Sequence, residues 1–74
     1  MKFDNYLLYD VYHVTKNLCV IHGYAEKNEI IKHVLIKGKR DKRDYTEESI
    51  NKVINHFETI RMIQQVRKNV YEVK

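Results

Sequence analysis

Hydrophobic and polar residues follow two different patterns in the two halves of this chain. Residues 6–14, 18–25 and 29–37 are rich in aromatic and β-branched side chains, which suit the half-buried surface of a sheet. Short polar segments, residues 15–17 and 26–28, separate them. We therefore predict three strands that short turns join into an antiparallel meander.

A helical pattern follows in the second half. Thr46 is a suitable N-cap residue, and two glutamates come directly after it. Apolar side chains then recur at helical spacing: Ile50, Val53, Ile54, Phe57 and Ile60. Beyond Arg61 a second apolar stripe lies on another side of the predicted helix. We predict one continuous helix over 46–69; the alternatives are a bend near Arg61 that a second short helix follows, or a last strand at VYEV.

Together the patterns predict one small α+β domain over residues 1–74. It has the order β-β-β-α, in which a three-stranded antiparallel sheet (5–37) and a basic loop (37–44) precede a long C-terminal helix (46–69). A core in a domain of this size rarely supplies more than about 3–5 kcal/mol. Two apolar sheet faces and two helix stripes also exceed what one such core buries, so we expect a homodimer or a protein partner.

The expected compartment is the cytoplasm, or the host cytoplasm if the protein is viral. A single cysteine excludes an internal disulfide and fits a reducing environment. The chain shows no charged leader followed by an apolar stretch, and its apolar runs are short. We therefore expect neither secretion nor a membrane span.

The net charge of +4 is concentrated in the basic loop. Residues 1–36 sum to zero, residues 37–44 to +3 and residues 45–74 to +1. The cations of the loop are the candidates for binding a polyanion or an acidic partner: Lys37, Lys39, Arg40, Lys42 and Arg43. Two aspartates within the loop oppose them, and for the loop taken alone a solvated connection is favoured over a binding site.

Two further surfaces are candidates for binding. Strand alternation places three tyrosines and a lysine on one sheet face, on which unpaired bases stack or which a partner covers: Tyr6, Tyr12, Tyr24 and Lys32. The second helix stripe is expected at a subunit or partner interface and holds Ile63, Val66 and Val70.

Metal binding and catalysis have weak support. His13, Cys19, His22 and His33 are near one another in the predicted meander, but no two pairs have the spacing of a zinc site. Cys19 with His13 is the only candidate nucleophile and base. We expect no metal, no cofactor, no catalytic residue and no small-molecule substrate.

The predicted function is therefore binding. Lys, Ile, Asn and Tyr make up 30 of 74 residues, a composition typical of AT-rich genomes, such as those of low-GC bacteria, many viruses and phages. We predict a small protein-interaction module, a homodimeric viral or phage regulator or an inhibitor of a host protein. The alternative is a nucleic-acid-binding regulator that uses the basic loop and the tyrosine face; an enzyme is the remote one.

Overall fold

The computed structural model describes residues 4–74, which form three helices and three short strands. The helices are α1 (Asn5–His22), α2 (Lys27–Arg40) and α3 (Glu47–Thr59). The strands are β1 (Ala25–Glu26), β2 (Ile63–Arg67) and β3 (Val70–Val73). Their order along the chain is α1-β1-α2-α3-β2-β3.

Both ends of α1 are capped. The Asp4 carboxylate accepts hydrogen bonds from the backbone N–H groups of Tyr6, over 2.7 Å, and Leu7, over 3.4 Å. Gly23 ends the helix in the left-handed conformation (φ 85°), and its N–H donates to the Cys19 carbonyl over 2.8 Å. Between the caps, the buried residues recur at helical spacing: Leu7, Asp10, Val11, Thr15 and Leu18.

The end of α2 folds back toward the start of α3. The N–H of Arg43 donates to the Gly38 carbonyl over 2.7 Å, and the N–H of Lys42 donates to the Lys39 carbonyl over 3.2 Å. Lys42 is left-handed (φ 58°), so this is a Schellman motif with a lysine where glycine is usual. Gly38 has no side chain, and the Tyr45 ring occupies the space that a Cβ atom would take. The turn is therefore packed tightly against α2.

α3 is capped at its start and stops before Arg61. Thr46 Oγ1 accepts from the N–H of Ser49 over 3.1 Å, and Ser49 Oγ accepts from the N–H of Thr46 over 3.2 Å. At the other end Arg61 is left-handed (φ 64°), and the N–H of Met62 donates to the Phe57 carbonyl over 2.9 Å. This second Schellman motif turns the chain out of the helix and into β2.

The sheet has the strand order β1-β3-β2 and is antiparallel. Ala25 pairs with Tyr71, and Ile63 pairs with Val73. We call the β2–β3 hairpin, residues 63–73, the wing. A bulge near its tip interrupts the register of the two strands.

The core lies between the three helices and the sheet, and each of the six elements contributes to it. Its buried apolar side chains are Leu7, Val11, Leu18, Ala25, Ile30, Ile31, Val34, Ile50, Val53, Ile54, Phe57, Ile63 and Tyr71. Tyr12 packs edge-on against Phe57, with 5.9 Å between ring centroids. Burial raises the pKa of Tyr71, and the nearby Glu58 carboxylate adds to the shift.

The predicted β-β-β-α fold is wrong. Residues 5–37, predicted as a sheet, form α1, the two-residue strand β1 and most of α2, and the predicted helix over 46–69 ends at Thr59. The sheet is formed mainly by the C-terminal hairpin, so the alternative of a last strand at VYEV is confirmed. Ile60, predicted in the core stripe, is 49% exposed. Composition favoured strands, but strand and helix preferences are weak and tertiary packing overrides them.

Candidate nucleic-acid interface

A buried carboxylate ties α1 to the segment that leads into α3. Asp10 is 5% exposed, and its Oδ2 atom accepts a hydrogen bond from the Tyr45 hydroxyl over 2.6 Å. Its Oδ1 atom lies 3.4 Å from Lys37 Nζ on α2. A buried carboxylate needs such partners because an unpaired one is costly. Burial raises the pKa of Tyr45 above its ordinary value of 10, and the hydrogen bond to Asp10 adds to the shift.

The five cations predicted as a polyanion site have different roles. Lys37 pairs with the buried carboxylate, and its Nζ atom lies 5.9 Å from the Tyr9 ring centroid. The Arg43 guanidinium carbon lies 3.6 Å from the Tyr6 ring centroid, which is a stacked cation–π contact. The other three cations are exposed: Lys39, Arg40 and Lys42. The basic loop thus uses two cations in internal contacts and presents three to solvent.

The side of α3 that faces away from the core is polar. Its exposed residues recur at helical spacing opposite the buried stripe: Glu48, Lys52, Asn55 and Thr59. Lys52 Nζ lies 3.2 Å from Glu48 Oε1, so these two charges compensate each other. Asn51 flanks this side and is half-buried, and its Oδ1 atom has no hydrogen-bond partner within residues 4–74.

Side-chain and backbone hydrogen bonds fasten the wing to two helices. Gln65 Nε2 donates to Glu58 Oε2 on α3 over 3.2 Å. Gln65 Oε1 accepts from the N–H of Asn69 over 2.6 Å, and the Asn69 carbonyl accepts from the N–H of Lys27 on α2 over 2.8 Å. Asn69 is left-handed (φ 63°), a conformation that asparagine tolerates. The exposed cations of the wing tip are Arg67 and Lys68.

The length of α2 separates the wing tip from the basic loop. The first residue of α2 contacts the wing tip, and its last turn carries the start of the basic loop. Its 14 residues span about 21 Å at a rise of 1.5 Å per residue. α3 follows the basic loop in the chain and is bound to the wing through Glu58. Exposed cations therefore lie near both ends of the polar side of α3.

The residues predicted to share a tyrosine face do not lie on one surface. Tyr6 and Tyr12 are both on α1, but Tyr6 is 59% exposed, whereas Tyr12 packs against Phe57 in the interior. Tyr24 lies between α1 and β1, and Lys32 is on α2. The sheet face that was to bring them together does not exist, because Tyr6, Tyr12 and Lys32 are helical and Tyr24 lies in the turn after α1.

The predicted interface stripe is also rearranged. Ile63, Val66 and Val70 belong to the wing instead of a helix. Ile63 is 1% exposed and part of the core, whereas Val66 is 42% exposed. A partner contact at Val66 stays a prediction.

The polar side of α3 and the cationic wing tip were missed in the sequence, although both leave a signal there. The exposed residues of α3 have helical spacing opposite the apolar stripe that was recognised. The segment VRKNV places two cations and a turn-forming asparagine between β-branched residues, which is a hairpin pattern. Because a continuous helix was assumed over these residues, the hairpin was not predicted.

Other kinds of site find little support within residues 4–74. No group of three or more metal-ligating side chains lies together there, and no helix in that range is long and apolar enough to cross a membrane. Cys19 Sγ lies 3.7 Å from the Tyr71 carbonyl. Compared with known proteins, the chain matches no family model, no curated protein and no solved structure.

Proposed function

We propose that the protein binds double-stranded DNA, with α3 in the major groove and with the basic loop and the wing tip on the phosphate backbone. α2, a turn and α3 have the order of a helix-turn-helix unit, in which the second helix enters the groove. Element order alone does not assign a function. The side chains of α3 and its flanks supply the chemistry.

The polar side of α3 carries groups that recognise base edges. The Asn55 amide is exposed and suits the paired donor and acceptor of adenine. Glu48 at the helix start accepts hydrogen bonds, as the amino group of cytosine requires. The side chain of Lys52 reaches either a base or a phosphate.

The cations near both ends of α3 are the observation that carries the proposal. A helix in the major groove, which is about 12 Å wide, has a phosphate backbone on either side. The basic loop and the wing tip, about 21 Å apart along α2, present five exposed cations between them. These cations match two backbones better than one acidic patch.

Duplex is favoured over single-stranded nucleic acid. Binding of single strands relies on aromatic side chains that present their faces side by side. Here Tyr12 packs inside the domain, and the Tyr6 ring already carries the Arg43 guanidinium. A platform for successive bases therefore has no support from these residues.

The proposal is tested by fluorescence anisotropy of a labelled duplex as a function of salt. The slope of log affinity against log salt is about −0.9 per phosphate neutralised. Replacing Lys39→Gln, Arg40→Gln and Lys42→Gly should flatten the slope by about three units. Lys42→Gly also suits the left-handed backbone at that position, so folding should survive.

Two further variants complete the experiment. Arg67→Gln with Lys68→Gln should flatten the slope by about two units, and Asn55→Ala should weaken discrimination between sequences with little change in slope. Lys16→Gln on α1 is the control and should leave the slope unchanged. Absence of duplex binding at about 50 mM salt, or equal slopes for all variants, contradicts the proposal.

The protein-interaction module is the second candidate, and the exposed apolar residues of α1 support it. A pull-down with and without nuclease separates the two. A partner retained after nuclease treatment, and lost when residues on α1 are changed, points to the protein surface. The exposed apolar residues of α1 and the polar side of α3 lie on different helices, so both results are compatible.

A further inference from the structure

The outer side of α1 carries exposed apolar side chains near both of its ends, with the exposed polar residues His13, Lys16 and Asn17 between them. Tyr6 is 59% exposed, Tyr9 61%, Val20 77% and Ile21 71%. They lie on the side of the helix opposite or beside its buried stripe. Large apolar side chains exposed near both ends of one helix are typical of an interface.

The neighbouring edge of α2 carries opposite charges at its two ends. α1 and α2 run in opposite directions: Tyr9 lies near Lys37 at one end, and His22 lies near Glu29 at the other. The first end carries Lys37, Arg40 and Arg43 beside the carboxylates of Asp10 and Asp41, with Arg40 exposed, and the second carries the exposed Glu26 and Glu29. Ile36, 56% exposed, lies between the two ends on the same edge.

We propose that a second copy of this chain docks on the face formed by α1 and α2. The twofold axis runs across both helices, at the level of His13 in the middle of α1. Each helix then lies antiparallel to its own copy. The acidic end of one copy meets the basic end of the other, with Glu29 opposite Arg40, and Tyr6 packs against Val20.

The charge arrangement selects this axis. The contact between Asp10 and Lys37 fixes the register of α1 against α2, and by helical spacing it places His13 beside Val34. Val34 also lies midway between Glu29 and Arg40, so the same twofold axis passes through the middle of the proposed contacts on both helices. An axis parallel to the helices would instead place basic end on basic end, and like charges disfavour that arrangement.

The size of the face predicts a dimer of moderate affinity. α1 has 18 residues and is about 27 Å long, and packed helices lie 8–10 Å apart. The face therefore measures roughly 500 Å² in projection on each copy, at the lower end of specific interfaces. Association should appear over micromolar concentrations in sedimentation velocity.

Charge reversal tests the proposal. Arg40→Glu alone and Glu29→Lys alone each place like charges together across the twofold axis, so each variant should dissociate about tenfold more readily than the parent. An equimolar mixture of the two variants restores opposite charges in both contacts. The mixture should therefore form a heterodimer with about the parental affinity, which sedimentation velocity detects once one variant carries a fluorophore.

Replacing an exposed apolar residue by an aspartate is the second test. Val20→Asp on α1 should abolish association, whereas the matched change Val66→Asp on the wing should leave it unchanged. Both side chains are exposed, so circular dichroism should show both variants folded. A monomeric parent at the highest concentration overturns the proposal, as does loss of the dimer with Val66→Asp in place of Val20→Asp. A mixture that stays monomeric overturns the antiparallel arrangement.

Discussion

α1 and α3 bury one side in the same core and differ in what they show to solvent. The outer side of α1 carries large apolar residues, foremost Tyr6, Tyr9, Val20 and Ile21. The outer side of α3 carries Glu48, Lys52, Asn55 and Thr59. Both helices bury one side in the core, so packing within this chain does not explain why their outer sides differ. We propose that their outer sides differ because the two helices bind different partners.

The two surfaces differ in what they require of a partner. Apolar side chains gain from leaving water, which suits a flat protein surface such as a second copy. Exposed amides and charges already bond water, so they suit a partner that offers hydrogen bonds in return, as base edges and phosphates do. A dimer through α1 and α2 would carry two copies of α3. DNA half-sites for such a pair lie one helical turn, about 34–36 Å, apart or at multiples of it.

The largest expected effect comes from breaking the interior that both helices share. Phe57 is 5% exposed and contacts the ring of Tyr12 on α1. Phe57→Ala should lower the free energy of unfolding by about 3–5 kcal/mol, most of what a domain of this size has. Asn55→Ala, two residues away on the outer side, should change it by less than about 0.5 kcal/mol. Urea denaturation followed by circular dichroism measures both; equal stability would remove Phe57 from the core.

The next largest effect should come from breaking the contact that Asp10 makes between α1 and the segment before α3, which we call the joint. Asp10→Ala leaves the Tyr45 hydroxyl and Lys37 without their common partner and should cost about 2–3 kcal/mol. Asp41→Ala is the matched control, because Asp41 is also an aspartate near a cation of α2, at 3.9 Å from Arg40. That pair is exposed, so its loss should cost less than about 0.5 kcal/mol. Similar losses in the two variants would show that the buried contact adds nothing.

A smaller effect of the same joint depends on pH. Burial raises the pKa of Tyr45 above 10, and the bond to Asp10 adds to the shift. The unfolded chain therefore loses this proton first as pH increases, so the contribution to stability is full below pH 10 and is lost above it.

Tyr45→Phe should cost about 1–2 kcal/mol at neutral pH and should make the alkaline decline shallower. Tyr71, whose pKa burial also raises, keeps part of the decline. Tyr9→Phe changes an exposed tyrosine and serves as the control. Denaturation curves between pH 7 and about 11 test the prediction, and a Tyr45→Phe curve parallel to that of the parent contradicts it.

The sequence predicts the structure of the second half of the chain better than that of the first half. The start and the buried stripe of α3 follow from Thr46 and from apolar residues at helical spacing, and both predictions are confirmed except at Ile60, which is exposed. The end of α3 was not predictable in the same way. Helices commonly stop at a left-handed glycine, whereas here Arg61 takes that conformation, and the arginine gives no such signal.

The first half failed because composition outweighed spacing. Aromatic and β-branched residues favoured strands, yet Asp4 as a cap, Leu7, Val11 and Leu18 as a stripe, and Gly23 as a stop together describe a helix. α2 gave a weaker signal, since Gly38 near its end is there to admit the Tyr45 ring. That requirement is a tertiary contact, and spacing along the sequence does not contain it.

The candidate sites were predicted in part. The five clustered cations remain a cluster, because they are adjacent in the chain whatever its fold. Which of them face solvent depends on Asp10 and Tyr6, more than thirty residues before Arg43. The tyrosine face depended on strand alternation and disappeared with the strands.

The smallest expected change in stability gives the sharpest contrast between α1 and α3. Glu48→Gln on α3 removes one member of an ion pair four residues apart and should cost less than about 1 kcal/mol. If α3 lies against phosphates, loss of this negative charge should tighten duplex binding roughly two- to tenfold at low salt. Glu29→Gln on α2 also removes a glutamate from a pair four residues apart, with His33. It should weaken self-association and should not tighten DNA binding, because Glu29 lies on the proposed dimer face and not on α3.

Anisotropy with duplex and sedimentation velocity, run on both variants, measure the two effects side by side. The same response from both variants would show that the two helices do not have separate partners.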